Sequence, residues 1–273
     1  MQAGGTPGSG GTIAFVGCGN LGFAILERAV ASGAVSAGTV TVVEPDAARR
    51  GRARALGVAA SDRLADARAA STVLLAVKPQ QFEAVADGLG PLPGSACIIS
   101  VMAGWSGASI HALLGSGPRV VRAMPNTPVR HGLGFTAIAA GPGATESDLA
   151  DAERLFGAVG ATGRVDEALM DAAVSAVGSA PAYLFLLAEA QVAAAIAMGI
   201  DPALARAVTV QTMLGAATML AKEGRSPEDL RAEVTSAGGT TAAATRAFEE
   251  GGFRQLVERA MRAARDRSRE LGR

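Results

Sequence analysis

The stretch IAFVGCGNLG, residues 13–22, constrains this chain more than any other. An apolar, β-rich run ends in three glycines spaced G-x-G-x-x-G. Residues 20–32 then carry Leu21, Ile25, Leu26 and Ala29 at helical spacing. A strand that passes through glycines into a helix brings backbone N–H groups and a partial positive charge to a phosphate. In such a motif Gly17 permits the tight turn, Gly19 lets the backbone approach a pyrophosphate, and Gly22 lets the helix pack on the strand. Cys18, Asn20 and Leu21 lie in the same loop and helix start. The competing reading is a glycine turn of purely structural use. Context favours the dinucleotide: Glu44 ends a second strand-like run, TVTVVE (39–44), where an acidic side chain accepts hydrogen bonds from a ribose diol. That residue points to NADH. Arg49 and Arg50 follow closely and offer partners for a 2′-phosphate, or else form a solvated helix face.

Further strand-like runs follow at 71–77, 96–102 and 119–124, with helical segments between several of them, the first over 46–56. Continuously apolar strands alternating with helices predict an α/β fold with a parallel sheet covered on both faces. GFTAIAA (134–140) and TGRV (162–165) extend that sheet at its edge. After about residue 166 strand-like runs vanish, and alanine, leucine and methionine dominate between Gly or Pro breaks. The expected organisation is a flexible tail over 1–11, a dinucleotide-binding domain over 12–165 and an all-helical domain over 166–273. Ala172 to Ala188 contains no charged residue. Gly178 and Pro181 interrupt it and Glu189 follows, which fits a helix buried between subunits better than a membrane span.

Composition excludes several functions. Hydrophobic residues are 49 % and charged residues 18 %, so a sizeable core is available and disorder is not expected. Formal net charge is +0, which leaves no electrostatic footprint for nucleic acid or an anionic membrane. Two cysteines, Cys18 and Cys97, and two histidines, His111 and His131, do not cluster, so neither a metal site nor a disulfide framework is expected. A reducing, cytosolic compartment fits.

Four later stretches carry chemistry. AVKPQ (76–80) closes a strand at the carboxyl edge of the sheet, where open α/β folds bind ligands. MPNTP holds Asn126 on a stiff loop between prolines, suited to a nicotinamide or to the loop itself. GSAPAY starts the long apolar helix, with Pro181 in its first turn. SAGGTT sets Gly238 and Gly239 just before a helix whose first turn holds Thr240 and Thr241, which is a cradle for a carboxylate or a plain capped helix.

Taken in order, FVGCGNLG, AVKPQ, RAMPNTP, GSAPAYLF and SAGGTTAAATRAFEEGGF resemble the pyrroline-5-carboxylate reductase family over nearly the whole chain. The resemblance implies a Rossmann-type domain followed by a helical dimerisation domain, with larger rings of dimers common. It implies reduction of a cyclic imine to L-proline, with NADPH the favoured cofactor. It puts Ala76, Lys78 and Pro79 around the ribose and pyrophosphate, and Asn126 beside the nicotinamide. It assigns the Ser236, Gly238, Gly239 and Thr240 loop to the substrate carboxylate and Thr241 to the ring nitrogen. The sequence departs from the family at Val177, Ala193 and Ala237, where serine, aspartate and proline are common, so another cyclic imino acid stays open as substrate.

Rival classes need features that are weak here. A β-hydroxyacid dehydrogenase needs a lysine on a helix of the second domain, and only Lys222 stands there, with no supporting motif. A nucleotide-sensing module without catalysis has no need of the MPNTP and GGTT loops together.

Overall fold

The computed structural model describes residues 11–271. Apart from Gly11, the tail expected over 1–11 lies outside the described residues. The chain divides into two compact units, one made of residues up to Ser179 together with those from Ala263 onward, the other of Ala180–Arg262.

The first unit is built on an eight-stranded sheet in the order β3-β2-β1-β4-β5-β6-β7-β8. In chain order its elements begin with β1 (Ile13–Val16), α1 (Asn20–Ala31), β2 (Val40–Val43), α2 (Ala47–Arg54) and β3 (Ala59–Ser61). Then come β4 (Thr72–Leu75), α3 (Phe82–Leu89), β5 (Cys97–Ser100) and α4 (Gly107–Leu113). The edge is formed by β6 (Arg119–Pro125), β7 (Gly134–Ala140), α5 (Glu146–Gly157) and β8 (Gly160–Arg164). From β3 to β6 every pairing is parallel, with Val16 beside Val43 on one side and beside Leu75 on the other. The chain runs outward from β1 through β2 to β3, then returns to β4 on the opposite side. The crevice at the carboxyl ends of β1 and β4 is therefore the topological switch point, where such folds bind ligands.

The structure corrects the sheet expectation at its edge: β7 runs antiparallel to β6, and β8 parallel to β7. The physical reason is the connection. Residues 126–133 form only a short 3-10 turn, whereas a parallel return needs a crossover of a dozen or more residues. The strand β3 was not expected, because Ala59–Ser61 carries no apolar run.

Both faces of the sheet are covered. Phe15, Leu74 and Ile99 pack on one face with Ile25, Leu26 and Phe156; Val16, Leu75 and Ile98 pack on the other with Phe82, Leu89 and Ile110. All of these side chains are essentially inaccessible to solvent. Burial on two faces explains why the strands read as continuous apolar runs rather than alternating ones.

Beyond β8 the described residues are helical: α6 (Met170–Ala173), α7 (Ala180–Ala197), α8 (Pro202–Lys222), α9 (Pro227–Glu233), α10 (Thr240–Glu250) and α11 (Phe253–Leu271). A π-helical turn, Val174–Gly178, links α6 to α7. The long apolar helix is not buried within its own chain, as expected of a helix whose cover comes from another subunit. Leu184, Phe185 and Leu186 are each at least 60 % exposed. Two segments, Glu167–Ala197 and Pro202–Lys222, are long and apolar enough to cross a membrane by length and composition. Apolar surface of this extent marks an interaction face.

Candidate active site

The glycine loop is shaped by steric need. Gly17 has φ +90, and a Cβ there would stand 2.7 Å from the Ala76 carbonyl oxygen. At Gly22 a Cβ would meet the Gly17 carbonyl oxygen at 2.7 Å and the Ala76 methyl at 3.1 Å. Both positions require glycine for close packing of the loop on the end of β4. Gly19 differs: its φ is −67, and a Cβ there would meet nothing within 4 Å. The space above Gly19 is open, as backbone approach by a ligand demands. Gly19 is also the N-cap of α1, and no side chain caps that helix. Its first-turn N–H groups, from Asn20, Leu21 and Gly22, are thus available to an anion.

Glu44 is turned inward, not toward solvent. It is 3 % exposed and its carboxylate accepts the Cys18 N–H at 2.7 Å and the Asp46 N–H at 3.1 Å. Arg49 stands 3.6 Å away. Glu44 therefore ties the glycine loop to the end of β2, a job that the sequence did not disclose. Arg50 is occupied by the carbonyls of Glu44 and Pro45 and faces Asp62 at 3.4 Å. The Arg49 side chain is half exposed at the lip of the crevice. Burial and the neighbouring Glu44 push the Cys18 thiol up to about 11, so Cys18 is an inert packing group rather than a nucleophile. Burial likewise drives Cys97 up to about 12.

Across the crevice, Ala76 pairs its N–H with the Val16 carbonyl, and Lys78 is the exposed residue before a 3-10 turn, Pro79–Gln81. Trp105 donates its indole N–H to the Pro79 carbonyl at 2.9 Å. Only the fold brings Trp105 to this turn, 26 residues away in sequence.

Asn126 leads out of β6. Its side-chain oxygen accepts the Phe135 N–H at 2.9 Å, which holds the loop against β7. Of the two roles open to it, the structure displays the loop-holding one. Upstream, Arg122 is buried on β6 with Glu167 at 3.9 Å. Burial lowers its pKa, opposed by Glu167 and Asp171. Its Nε and Nη2 have no protein partner among the described residues.

In the second unit, Gly238 has φ +70 with open space around it, and Gly239 is the N-cap of α10. Ser236 folds over Gly239, its Oγ occupying the space that a Cβ there would need. No side chain caps α10, so the N–H groups of Thr240 and Thr241 open its first turn toward any anion. A threonine-capped helix is therefore not what the structure shows. Thr241 is partly buried and Thr240 exposed. His111 Nδ1 lies 2.9 Å from the Pro118 carbonyl, and His131, exposed, ends the 3-10 turn after Asn126. No group of three metal-binding side chains occurs among the described residues.

Comparison with known proteins supplies the family. Residues 167–271 match the model for pyrroline-5-carboxylate reductase dimerisation, and residues 12–104 match that for coenzyme F420-dependent NADP oxidoreductases. The pyrroline-5-carboxylate reductase of Haemophilus influenzae is 41 % identical over 95 % of this chain and 97 % of its own length. The structure of a Coxiella burnetii pyrroline-5-carboxylate reductase superposes with TM-score 0.88 at 32 % identity, covering 97 % of this chain and 100 % of that one. A Plasmodium falciparum pyrroline carboxylate reductase, solved with NADP bound, shares the fold at TM-score 0.86 and 23 % identity, covering 96 % and 98 %.

Proposed function

We infer the reaction from one premise: this chain belongs to the pyrroline-5-carboxylate reductase family. It reduces the imine of 1-pyrroline-5-carboxylate to L-proline with a hydride from NADPH. The observation that carries this reading is full-length identity of 41 % to a curated enzyme of that name, joined to a glycine loop with room above Gly19 and an uncapped glycine elbow at α10.

The described residues fit the cofactor. NADPH, when bound, supplies the hydride. The N–H groups opening α1 hold its pyrophosphate, Gly17 and Gly22 having brought that helix start against Ala76. Glu44 is spent on the Cys18 and Asp46 amides, so its carboxylate does not project at the ribose. Arg49, half exposed, is the candidate partner for a 2′-phosphate, which supports NADPH over NADH. Lys78 and Pro79 border the ribose and pyrophosphate, and Asn126 keeps the nicotinamide-side loop in place.

The Gly238–Thr241 elbow receives the substrate carboxylate through backbone N–H groups, with Ser236 bracing the turn. Thr241 offers its hydroxyl to the ring nitrogen. A cyclic imine is basic enough to be protonated in solution before it binds. The protein need only orient it at near-attack distance, about 3–3.5 Å from the hydride donor. No dedicated acid is required, in keeping with a chain whose only histidines are His111 and His131 and whose only lysines are Lys78 and Lys222.

The exposed apolar faces of α7 and α8, and the groove lined by Leu187, Phe248, Phe253 and Val257, supply the subunit interface of a dimer, which further contacts assemble into a ring. Free, buried cysteines fit a reducing compartment, and the cytosol is the assigned location. The test is NADPH oxidation with 1-pyrroline-5-carboxylate, proline being measured as product and NADP+ reduction with hydroxyacids serving as control. NADP+ reduction by hydroxyacids without turnover of the imine, or nucleotide binding without turnover, contradicts the reading.

A further inference from the structure

We propose that Trp105 is a positioning residue for the nucleotide: its indole N–H fixes the far end of the 76–79 turn against which the cofactor lies. The inference rests on the cofactor reading above and names a residue outside the glycine loop.

The turn has two anchors. At its near end the Ala76 N–H donates to the Val16 carbonyl at 2.8 Å, and the Ala76 carbonyl and methyl pack against Gly17 and Gly22. At its far end stands Pro79, which has no N–H of its own, so its carbonyl is the only backbone handle. That oxygen accepts two donors, the Phe82 N–H that closes the 3-10 turn and the Trp105 indole N–H at 2.9 Å. Lys78 lies between the anchors.

Trp105 is itself held rigidly. Gly104 before it has φ +82, and Ser106 after it caps α4 by accepting the Ser109 N–H at 3.0 Å. The indole meets the Phe82 ring edge to face, with centroids 4.9 Å apart and planes at 75°, and packs against the core layer beneath. The donor thus bridges the carboxyl ends of β4 and β5. Without it the turn keeps its near anchor and its Phe82 bond but gains freedom at Pro79, which must be lost again when nucleotide binds. The cost falls on binding, because Trp105 is not assigned to the reacting atoms.

The chain has one tryptophan, so biosynthetic replacement by benzothienylalanine, an isostere lacking the N–H, alters this group alone. The companion variant is Trp105→Phe, which keeps a ring against Phe82. In both, the calorimetric Kd and the KM for NADPH are expected to rise about fivefold, the factor of one net hydrogen bond. Turnover and the KM for the imine are expected to stay within about twofold of wild type, the range of bonds that do not act on the reacting centre. If the phenylalanine variant does not fold, the isostere decides. Unchanged NADPH affinity in the folded isostere overturns the proposal, as does a fall in turnover at constant KM. Gly19→Ala, whose methyl meets no protein atom within 4 Å, separates the two layers of inference. Native NADPH affinity in that variant removes the cofactor reading and the proposal with it; lost affinity there beside an unaltered isostere removes the role of Trp105 alone.

Discussion

Two glycines two residues apart should respond oppositely to the same methyl group. Gly17→Ala places a Cβ 2.7 Å from the backbone oxygen of Ala76, at a φ of +90 that L residues rarely adopt. The conformation alone costs about 1–2 kcal/mol, and relief of the contact must move backbone, adding roughly 1 kcal/mol. The sum, about 2–3 kcal/mol, corresponds to roughly 5–10 °C in Tm for a domain of this size. Gly19→Ala meets nothing, and its φ of −67 suits alanine. Reduced freedom of the unfolded chain gains about 0.4–1 kcal/mol, while alanine caps a helix less well than glycine by roughly 0.5 kcal/mol. Stability should hold within about 0.5 kcal/mol. The new methyl nevertheless occupies the space assigned to the pyrophosphate. Losing one N–H bond to a charged group costs about 1.5–3 kcal/mol, or one to two decades in Kd at about 1.4 kcal/mol per decade. Thermal melts paired with NADPH calorimetry read both quantities. Gly19→Ala binding NADPH like wild type, or Gly17→Ala melting like wild type, would refute the reasoning.

Other expectations follow from the same geometry. Thr241→Ala should lower turnover by about 10- to 100-fold, the range for one hydrogen bond to a charged group, and Thr241→Ser should lose less; steady-state kinetics checks both. Arg49→Ala should raise the KM for NADPH while leaving that for NADH nearly unchanged, since only the former carries the 2′-phosphate. Asp148 sits in a cap, accepting both Arg119 nitrogens at 2.8 and 3.0 Å and the Thr145 N–H and hydroxyl. Burial alone would raise its carboxyl, but the Arg119 and Thr145 bonds outweigh that and hold it well below the usual carboxylate range. Its contribution to stability is then complete above about pH 4 and is lost as pH falls below that value. Asp148→Asn should cost about 2 kcal/mol at pH 7, the partial exposure of Arg119 discounting the figure for a fully buried pair, and should flatten the acid limb of the stability profile. Light scattering should show at least a dimer at working concentration; a monomer would contradict the assigned interface.

What the sequence disclosed was whatever depends on local pattern. Strands buried on both faces announced themselves as apolar runs, and the G-x-G-x-x-G spacing announced the loop, although the Ala76 contacts that demand glycine at Gly17 and Gly22 come from a strand end distant in sequence. The helix start at Thr240 was legible from local spacing as well. What stayed hidden depends on partners distant in sequence. Ala59–Ser61 becomes a strand only because β2 lies beside it. Glu44 could have faced a ribose; the Cys18 amide, brought near by the fold, turned it inward. The indole of Trp105 reaches Pro79 across two strand ends, which no spacing rule records. An apolar helix such as α7 reads alike in sequence whether its cover comes from its own chain or another, and only the structure shows that its own chain does not supply it.

The central claim is that the α1 glycine loop takes the nucleotide and the α10 elbow takes the carboxylate. A crystal structure with NADPH and L-proline bound tests it most directly. The pyrophosphate should lie on the N–H groups of Asn20, Leu21 and Gly22, and the proline carboxylate on those of Gly239 to Thr241. Proline lodged away from that elbow, or a nucleotide bound elsewhere than above Gly19, would contradict it.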